Sequence, residues 1–452
     1  MYVFSKENVE TAIREVCSAL GITINKTLLE EYENGKHRDL LMYEKLQKPV
    51  LDIPAIQKYL ISCQSFLDQP CQYYDIFRAC RHVIFIQVLN DALKSAKHIE
   101  NHEEKLDILK HTKDYEPFES CLFELAVAHR YFSNREVAGV RFLEESTNES
   151  PDLEIELNTE KLYVECKKYN RSNDLSFAMR EKVREKVSPL LNAFRELQVA
   201  AVIELSFHTY PQLIHSERIV HISMESLTSG CPIIDEDLTV YVKPLACQEL
   251  KDYTLHPSPK YFWERYGFKE RGEWFGLVHH MIARYAYYKE NEKVWQNLAS
   301  TWLDDVAWEC AVKWKITNDE VIDRLRKLNY KRIFKGLSQL KSYSPSSSLH
   351  IWLERDYSLG HRQEEMLYFF HKIRSSGRDF FSWILFNETC LDVSPKGSFD
   401  LIEHCHIING PSAQGGNPPV TNIFTKENEM DGPGEFGIGC DLPDIDSVNQ
   451  GD

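Results

Sequence analysis

The sequence lacks any uninterrupted apolar run of about 18 residues, the length that a membrane-spanning helix needs. Its 12 cysteines include no Cys-x-x-Cys pair, so we expect reduced, buried thiols in a cytoplasmic protein. The first residues also lack the basic-then-apolar pattern of a signal peptide. The sequence also contains no Gly-rich phosphate loop, no Gly-x-Ser-x-Gly nucleophile motif and no dinucleotide-binding motif. ATP-driven and acyl-transfer chemistry are therefore unsupported.

Basic residues are in short supply, with 53 Lys and Arg against 69 Asp and Glu and a formal net charge of −16. This balance argues against non-specific coating of nucleic acid, so contact with nucleic acid would depend on local patches. Residues 161–186 contain eight Lys or Arg and four acidic residues, and residues 324–341 contain seven Lys or Arg and no acidic residue. Residues 411–452, rich in Gly, Pro, Asn and Asp, are predicted to form a disordered acidic tail.

Two alternating runs near residue 160 predict a β-hairpin. If residues 158 and 159 form a two-residue loop, Glu156 pairs with Lys161, and the apolar residues pair with one another, Ile155 with Leu162 and Leu153 with Val164. A longer loop stays possible, because Thr159 is poorly suited to a positive φ. In the two-residue register Asp152 lies opposite Glu165, and Lys167 is on the same strand face as Glu165.

Two carboxylates facing each other repel, and a divalent cation between them would remove that cost. Mg²⁺ or Mn²⁺ on Asp152 and Glu165 would polarise a phosphate and lower the pKa of a bound water. Lys167 would orient the attacking water or stabilise charge in the transition state. The pattern therefore predicts metal-assisted hydrolysis of a phosphodiester. The alternative is an edge hairpin with solvated charges.

A largely apolar helix is predicted over residues 117–132, and Glu124 lies within its buried run. A carboxylate on a buried face is costly unless it is paired or bound to a metal. Glu124 is therefore a candidate site residue, with an ion pair to Arg130 or a neighbour as the alternative. Glu119 is a weaker candidate, because the helix macrodipole alone would favour an acid there.

In this order of helix glutamate, strand, Pro-Asp, hairpin and Glu-x-Lys, residues 117–207 resemble the PD-(D/E)xK nuclease superfamily. The matching residues are Glu124, Pro151, Asp152, Glu165 and Lys167. The resemblance implies an α/β protein with a restriction-endonuclease-like mixed sheet flanked by helices, and a metal-dependent nuclease acting on DNA. It implies that Asp152, Glu165 and the Cys166 carbonyl bind the metal, that Lys167 is catalytic, and that Glu124 supports the site.

Two non-enzymatic alternatives stay open: a nuclease-like module that binds nucleic acid or protein without cutting, and a helical interaction protein whose hairpin is incidental. The segments that we expect are a helical N-terminal region (1–115), a nuclease-like core (116–250), a large helical insertion (251–345), a C-terminal α/β segment (346–410) and the tail (411–452). The core would include strands near residues 199–207 and 237–245. The late strands would extend its sheet or form a small separate unit.

Candidate nucleic-acid contacts come from the two basic stretches: Lys168, Arg171, Lys327, Lys331 and Lys335. The last three share one helical face with Arg324, and a solvated face is the alternative reading. His404 and His406 share a strand face, but zinc would need more ligands than the sequence offers nearby. The helical regions could also bind a protein partner, and the sequence does not indicate an oligomeric state.

Overall fold

The protein, described by a computed structural model, contains two mixed β-sheets flanked by α-helices. The structure describes residues 6–33, 53–68, 76–144, 150–158, 160–169, 175–245, 254–255, 276–286, 301–343, 346–354, 362–376, 381–393, 399–410, 413 and 418–424.

Within the described residues, six helices precede the first sheet, and the first five are α1 (Lys6–Leu20), α2 (Lys26–Glu33), α3 (Ala55–Asp68), α4 (Ile76–Ala96) and α5 (Glu103–His111). Helix α1 shows why they form. Val9, Ile13, Val16 and Leu20 recur every three or four residues, so they share one face and are buried in the main core. The described part of the N-terminal region is thus helical, as its apolar spacing predicts.

The first sheet follows helix α6 (Tyr115–Phe132) and has the order β1-β2-β3-β10-β11-β12. Its strands are β1 (Val137–Phe142), β2 (Leu153–Leu157), β3 (Lys161–Tyr169), β10 (Ser347–Glu354), β11 (Trp383–Val393) and β12 (Phe399–Asn409). Strands β3, β10 and β11 are parallel, and the other neighbours are antiparallel. The late strands therefore extend the same sheet, which decides between the two possibilities left open by the sequence.

Strand β3 lies inside this sheet, with β2 and β10 as neighbours and apolar cores on both faces. Leu162 and Val164 belong to the core that contains Phe123 of α6. On the other face, helices α9 (Asp319–Leu340) and α10 (Arg362–Ser375) contribute Leu337 and Phe369 to a second core. Glu165, in the middle of β3, is consequently fully buried.

The hairpin has the register that alternation predicts. Leu153 pairs with Val164, Ile155 with Leu162 and Glu156 with Lys161. The Leu157 N–H donates to the Glu160 carbonyl at 2.8 Å, which closes the hairpin beside its loop. A slip of one residue would move every apolar side chain to the wrong face, so the buried core fixes this register.

The second sheet has the order β5-β6-β4-β9-β7, with β8 also paired to β9. Its elements are α7 (Leu175–Glu196), β4 (Ala201–Phe207), α8 (Ser216–Ser229), β5 (Ile233–Ile234), β6 (Leu238–Pro244), β7 (Thr254–Leu255), β8 (Gly276–Ala286) and β9 (Thr301–Ile316). The expectation that β4 and β6 belong to the nuclease-like core is wrong. Strand β4 instead pairs in parallel with β9 over residues 201–207 and 310–316.

The helical insertion expected over residues 251–345 is also wrong in part, because β8 and β9 within this range are strands. The physical reason is visible at the end of β9. Trp308, Cys310, Val312, Trp314 and Ile316 alternate with less apolar residues, and this period of two buries them on one face. Within the described part of this range, residues 319–340 do form a helix, α9.

The prediction of a disordered tail is wrong for residues 418–424, which pack on the first sheet and α6. Val420, Ile423 and Phe424 are buried in the main core. The Glu403 carboxylate accepts from the N–H groups of Ile423 and Phe424, at 2.7 and 2.8 Å. Apart from Ala413, the other residues of the range 411–452 lie outside the described part of the chain.

Deleting residues 412–452 is therefore expected to lower the free energy of unfolding and the urea midpoint, whereas deleting 426–452 retains the docked residues and serves as the control. Phe424→Ala in the full chain should cost about 3 kcal/mol or more of unfolding free energy, the usual range for a buried phenylalanine. Urea unfolding of the three variants and the wild type measures this. A midpoint unchanged by the longer deletion would show that the docked segment adds no stability.

Candidate active site

Helix α6 places Glu124 close to the hairpin. Phe118, Cys121, Leu122 and Leu125 are buried and hold the helix against its neighbours. The Glu124 side chain is only 14% exposed, and its Oε2 lies 2.7 Å from Nζ of Lys105 on α5. The partner of Glu124 is thus a lysine on a neighbouring helix and not Arg130, which the sequence suggests as an alternative.

Asp152 lies just before strand β2, where the chain bends. Its Oδ2 accepts a hydrogen bond from the backbone N–H of Cys166 at 2.7 Å. This bond holds the Asp152 carboxylate beside strand β3 at residues 165–166, which is where the hairpin register predicts it. The Cys166 thiol itself is buried in the main core, so any metal ligand from this residue would be its carbonyl, as expected.

Glu165 is fully buried, and its Oε1 accepts from the Lys167 ammonium. Its Oε2 has no hydrogen-bond partner among the described residues. Burial raises the pKa of Glu165 well above its ordinary value, and the nearby Asp152 raises it further. A buried carboxylate with an unsatisfied oxygen is costly, and a bound cation is one way to remove that cost.

The same electrostatics act on Glu124. Burial and the Asp152 charge raise the pKa of Glu124 to about 7, although Lys105 and Lys167 oppose the shift. Three carboxylates, Glu124, Asp152 and Glu165, therefore act on one another, and two lysines partly compensate them. Burial alone would lower the pKa of Lys167, but Glu165 and Asp152 outweigh it and the pKa is raised.

Helix α9 fixes the stem of Lys167 through a close approach at Gly336. A Cβ at this position would lie 2.9 Å from Leu349 Cδ1 and 3.3 Å from Lys167 Cγ. An added methyl group would have to push the Leu349 side chain aside, so glycine favours this close packing of the helix on β3 and β10. The Lys167 side chain stays 25% exposed, in contrast to Glu165.

The donors at this site suit a hard cation, because the candidate ligands Asp152 and Glu165 and the Cys166 carbonyl all offer oxygen. The unsatisfied Oε2 of Glu165 fits such a cation. Within the described ranges, no group of three or more His, Cys, Asp and Glu side chains is arranged as a complete metal site. A metal would therefore depend on two side chains, a carbonyl and water.

The candidate nucleic-acid residues divide into three groups. The prediction that Lys168 contacts nucleic acid at the surface is wrong, because its side chain is 2% exposed and forms an ion pair with Glu119. Glu119 also lies 2.6 Å from Arg81, so its role is a buried ion-pair network. Arg171 lies outside the described residues. Lys327, Lys331 and Lys335 are exposed on α9, while the side chain of Arg324 is not described.

Sequence reasoning missed Lys105. One sequence signal was available: Lys105 lies four residues before Leu109, so the two residues share one face of α5. Both are buried there. A lysine on an apolar face needs a partner. Its partner is 19 residues away on another helix, and local spacing does not reveal such a pairing. His406 joins no metal cluster among the described residues and lies 3.6 Å from Glu388, while the side chain of His404 is outside the described part of the chain.

A scan against protein-family models and searches of curated proteins and of solved structures gave no match to this chain. Among the described helices, none is both long enough and apolar enough to cross a membrane.

The raised pKa of Glu165 predicts a pH dependence of stability in metal-free protein. A carboxyl group whose folded pKa exceeds its unfolded pKa takes up a proton on folding. The unfolding free energy should therefore fall as pH rises above about 4.3, the ordinary value for Glu. Glu124, with a pKa of about 7, acts in the same direction.

Glu165→Gln should reduce this fall, by about 1.4 kcal/mol for each unit by which the pKa is raised. Urea unfolding with a chelator at pH 5 and pH 8 provides the measurement. Glu156→Gln, at an exposed position of the same hairpin, should keep the wild-type pH dependence. If Glu165→Gln also kept it, the ionised form of Glu165 would carry no burial cost.

Proposed function

We propose that this protein is a Mg²⁺- or Mn²⁺-dependent nuclease that hydrolyses phosphodiester bonds, with DNA as its substrate. The observation that carries the proposal is the electrostatic cluster on one hairpin and its neighbouring helix. Asp152, Glu165 and Lys167 lie together there, Glu124 acts on all three, and the buried Glu165 keeps an unsatisfied oxygen. Buried like charges with perturbed pKa values are typical of active sites.

The fold supports the proposal. Helix α6, strand β1, Pro151 and Asp152, the β2–β3 hairpin and Glu165-x-Lys167 follow one another in the order that the superfamily resemblance rests on. The surrounding sheet is mixed and has helices on both faces, as the resemblance implies. The choice of DNA over RNA rests on the resemblance alone.

Asp152, Glu165 and the Cys166 carbonyl would hold the cation. When bound, it supplies a polarised phosphate and a water of lowered pKa. The Lys167 ammonium adds a positive charge beside the reacting phosphate, where negative charge develops in the transition state. The Cys166 N–H holds Asp152 in place, and Gly336 lets α9 hold the Lys167 stem.

Helix α9 offers a path for the substrate backbone towards the site. Lys327, Lys331 and Lys335 are exposed at intervals of four residues, about 6 Å along the helix axis. Gln339 occupies the next position, and its Nε2 donates to the carbonyl of Ser150 at 3.3 Å, two residues before Asp152. The basic stripe, meaning these three lysines, therefore runs along the helix towards the start of the hairpin.

A binding module without nuclease activity is the second candidate, and one observation favours it. Lys167 already neutralises Glu165 without a metal, so these two residues could form an ion pair that only stabilises the hairpin. The two functions differ in one assay. A wild-type protein that binds DNA in a salt-dependent manner, but cuts no DNA in Mg²⁺ or Mn²⁺, would support the binding module.

Asp152→Asn tests the nuclease directly, because it removes the charge and keeps an oxygen that can accept from the Cys166 N–H. We expect DNA cleavage in Mg²⁺ or Mn²⁺ to fall at least about a hundredfold, as when one charge-stabilising group is lost. The thermal midpoint should stay unchanged or rise, since one of three repelling carboxylates is gone. Glu156→Gln is the control. Cleavage at the wild-type rate by folded Asp152→Asn would contradict the assignment.

The basic stripe should contribute to affinity and not to chemistry. Replacing Lys327, Lys331 and Lys335 by Gln should lower the log–log salt slope of duplex binding by two to three, at about 0.9 per phosphate contact. Turnover at saturating substrate should change little, because binding is lost equally from ground and transition states.

The matched control replaces three exposed lysines outside both basic stretches, Lys26, Lys97 and Lys113, by Gln, which removes the same net charge. Fluorescence anisotropy at several salt concentrations gives both slopes. An equal change in the two triple variants would mean that only net charge matters, and α9 would then be a solvated face.

A further inference from the structure

Lys105 occupies an unusual place for a lysine. It lies on α5 with its side chain 10% exposed, and its Nζ is 5.6 Å from the centre of the Phe142 ring. Phe142 pairs with Leu153 on the next strand, beside Asp152. The Cys121 thiol donates to the Lys105 carbonyl at 3.2 Å, which ties α5 to α6. This ammonium is therefore held at the rim of the carboxylate cluster.

The two lysines of the cluster compensate different carboxylates. Lys167 binds Glu165, and Lys105 binds Glu124 with Nζ and Oε2 at 2.7 Å. Lys167 is the more exposed of the two, so it can leave Glu165 at little cost when another cation arrives. Lys105 is enclosed, and displacing it from Glu124 would leave a buried ammonium without its carboxylate, which is strongly unfavourable.

The net charge of the cluster leads to the same distinction between Lys105, which stays, and Lys167, which a cation can displace. Glu124, Asp152 and Glu165 carry three negative charges when ionised, and Lys105 and Lys167 carry two positive charges. One divalent cation changes the sum from −1 to +1, while two would change it to +3. An excess of three like charges in a poorly hydrated site is disfavoured, because little solvent screens it.

We propose that Lys105 is the permanent counter-cation of Glu124, so that the site accepts one divalent cation, on Asp152 and Glu165, and not two. This inference rests on the proposed function, since it assumes that a cation binds between those carboxylates. Lys105 is then a positioning residue: it keeps Glu124 at the site but out of the set of metal ligands.

Calorimetric titration of Mn²⁺ into the full chain, without substrate, tests the stoichiometry. One Mn²⁺ per chain is expected, and two would overturn the inference while leaving a metal site in place. No binding by wild-type protein would remove the proposed function and this inference together. Asp152→Asn and Glu165→Gln should each weaken the binding at least tenfold, which identifies the titrated site.

The double variant Lys105→Met with Glu124→Gln separates a counter-ion pair from a ligand. It removes one charge of each sign and keeps both side-chain volumes close to the original. We expect one Mn²⁺ with a dissociation constant within about threefold of wild type, because neither residue touches the metal. A tenfold or greater loss, in protein with native circular dichroism, would show that Glu124 is a ligand.

Two further variants complete the design. Lys105→Arg keeps the charge and should also bind one Mn²⁺, so a second equivalent in this variant would overturn the inference even if the double variant failed to fold. Lys161→Met is the matched control, because Lys161 pairs with Glu154 at 2.9 Å on the same hairpin. It should leave the Mn²⁺ stoichiometry and affinity unchanged.

Discussion

The site depends on one constraint: strand β3 carries an ionisable side chain, Glu165, into a sheet that is covered on both faces. Burying an ionised carboxylate costs several kcal/mol unless charge or hydrogen bonds compensate it. Lys167 supplies one compensating charge, and Oε2 of Glu165 stays unsatisfied in the described structure. A stable fold can retain such a cost only where other contacts of the chain hold the strand firmly in place. Here the parallel pairing of β3 with β10 and the packing of α9 do so.

The hairpin could be derived from the sequence because its side-chain period of two is unambiguous and its register is locally determined. The same rule applies to residues 308–316, where five apolar residues alternate, although a helical insertion is expected there from the sequence. Two other features were hidden for different reasons. Lys105 has a partner 19 residues away, which no local pattern gives. The docked residues 418–424 are only seven residues of the largely polar range 411–452. The composition averaged over that range therefore does not reveal that Phe424 is a core residue.

The partition of the chain between two sheets could not be predicted, because it depends on which distant strand pairs with which. Strand β4 is followed by about ninety residues before its parallel partner β9, and β3 by a longer interval before β10. Local propensity predicts that such strands exist, and long-range pairing decides their sheet. The carboxylate cluster was predictable by comparison, since Asp152, Glu165 and Lys167 all come from one hairpin.

Helix α9 links the chemistry of the site to the surface that would meet a substrate. Gly336 brings it against the Lys167 stem, and Gln339 bonds to the carbonyl of Ser150, close to Asp152. The exposed lysines lie on the same helix, with Lys335 directly before Gly336 in the chain. In the proposed nuclease, the helix that presents lysines to the substrate backbone would thus be the same helix that packs beside Lys167 and the start of the hairpin.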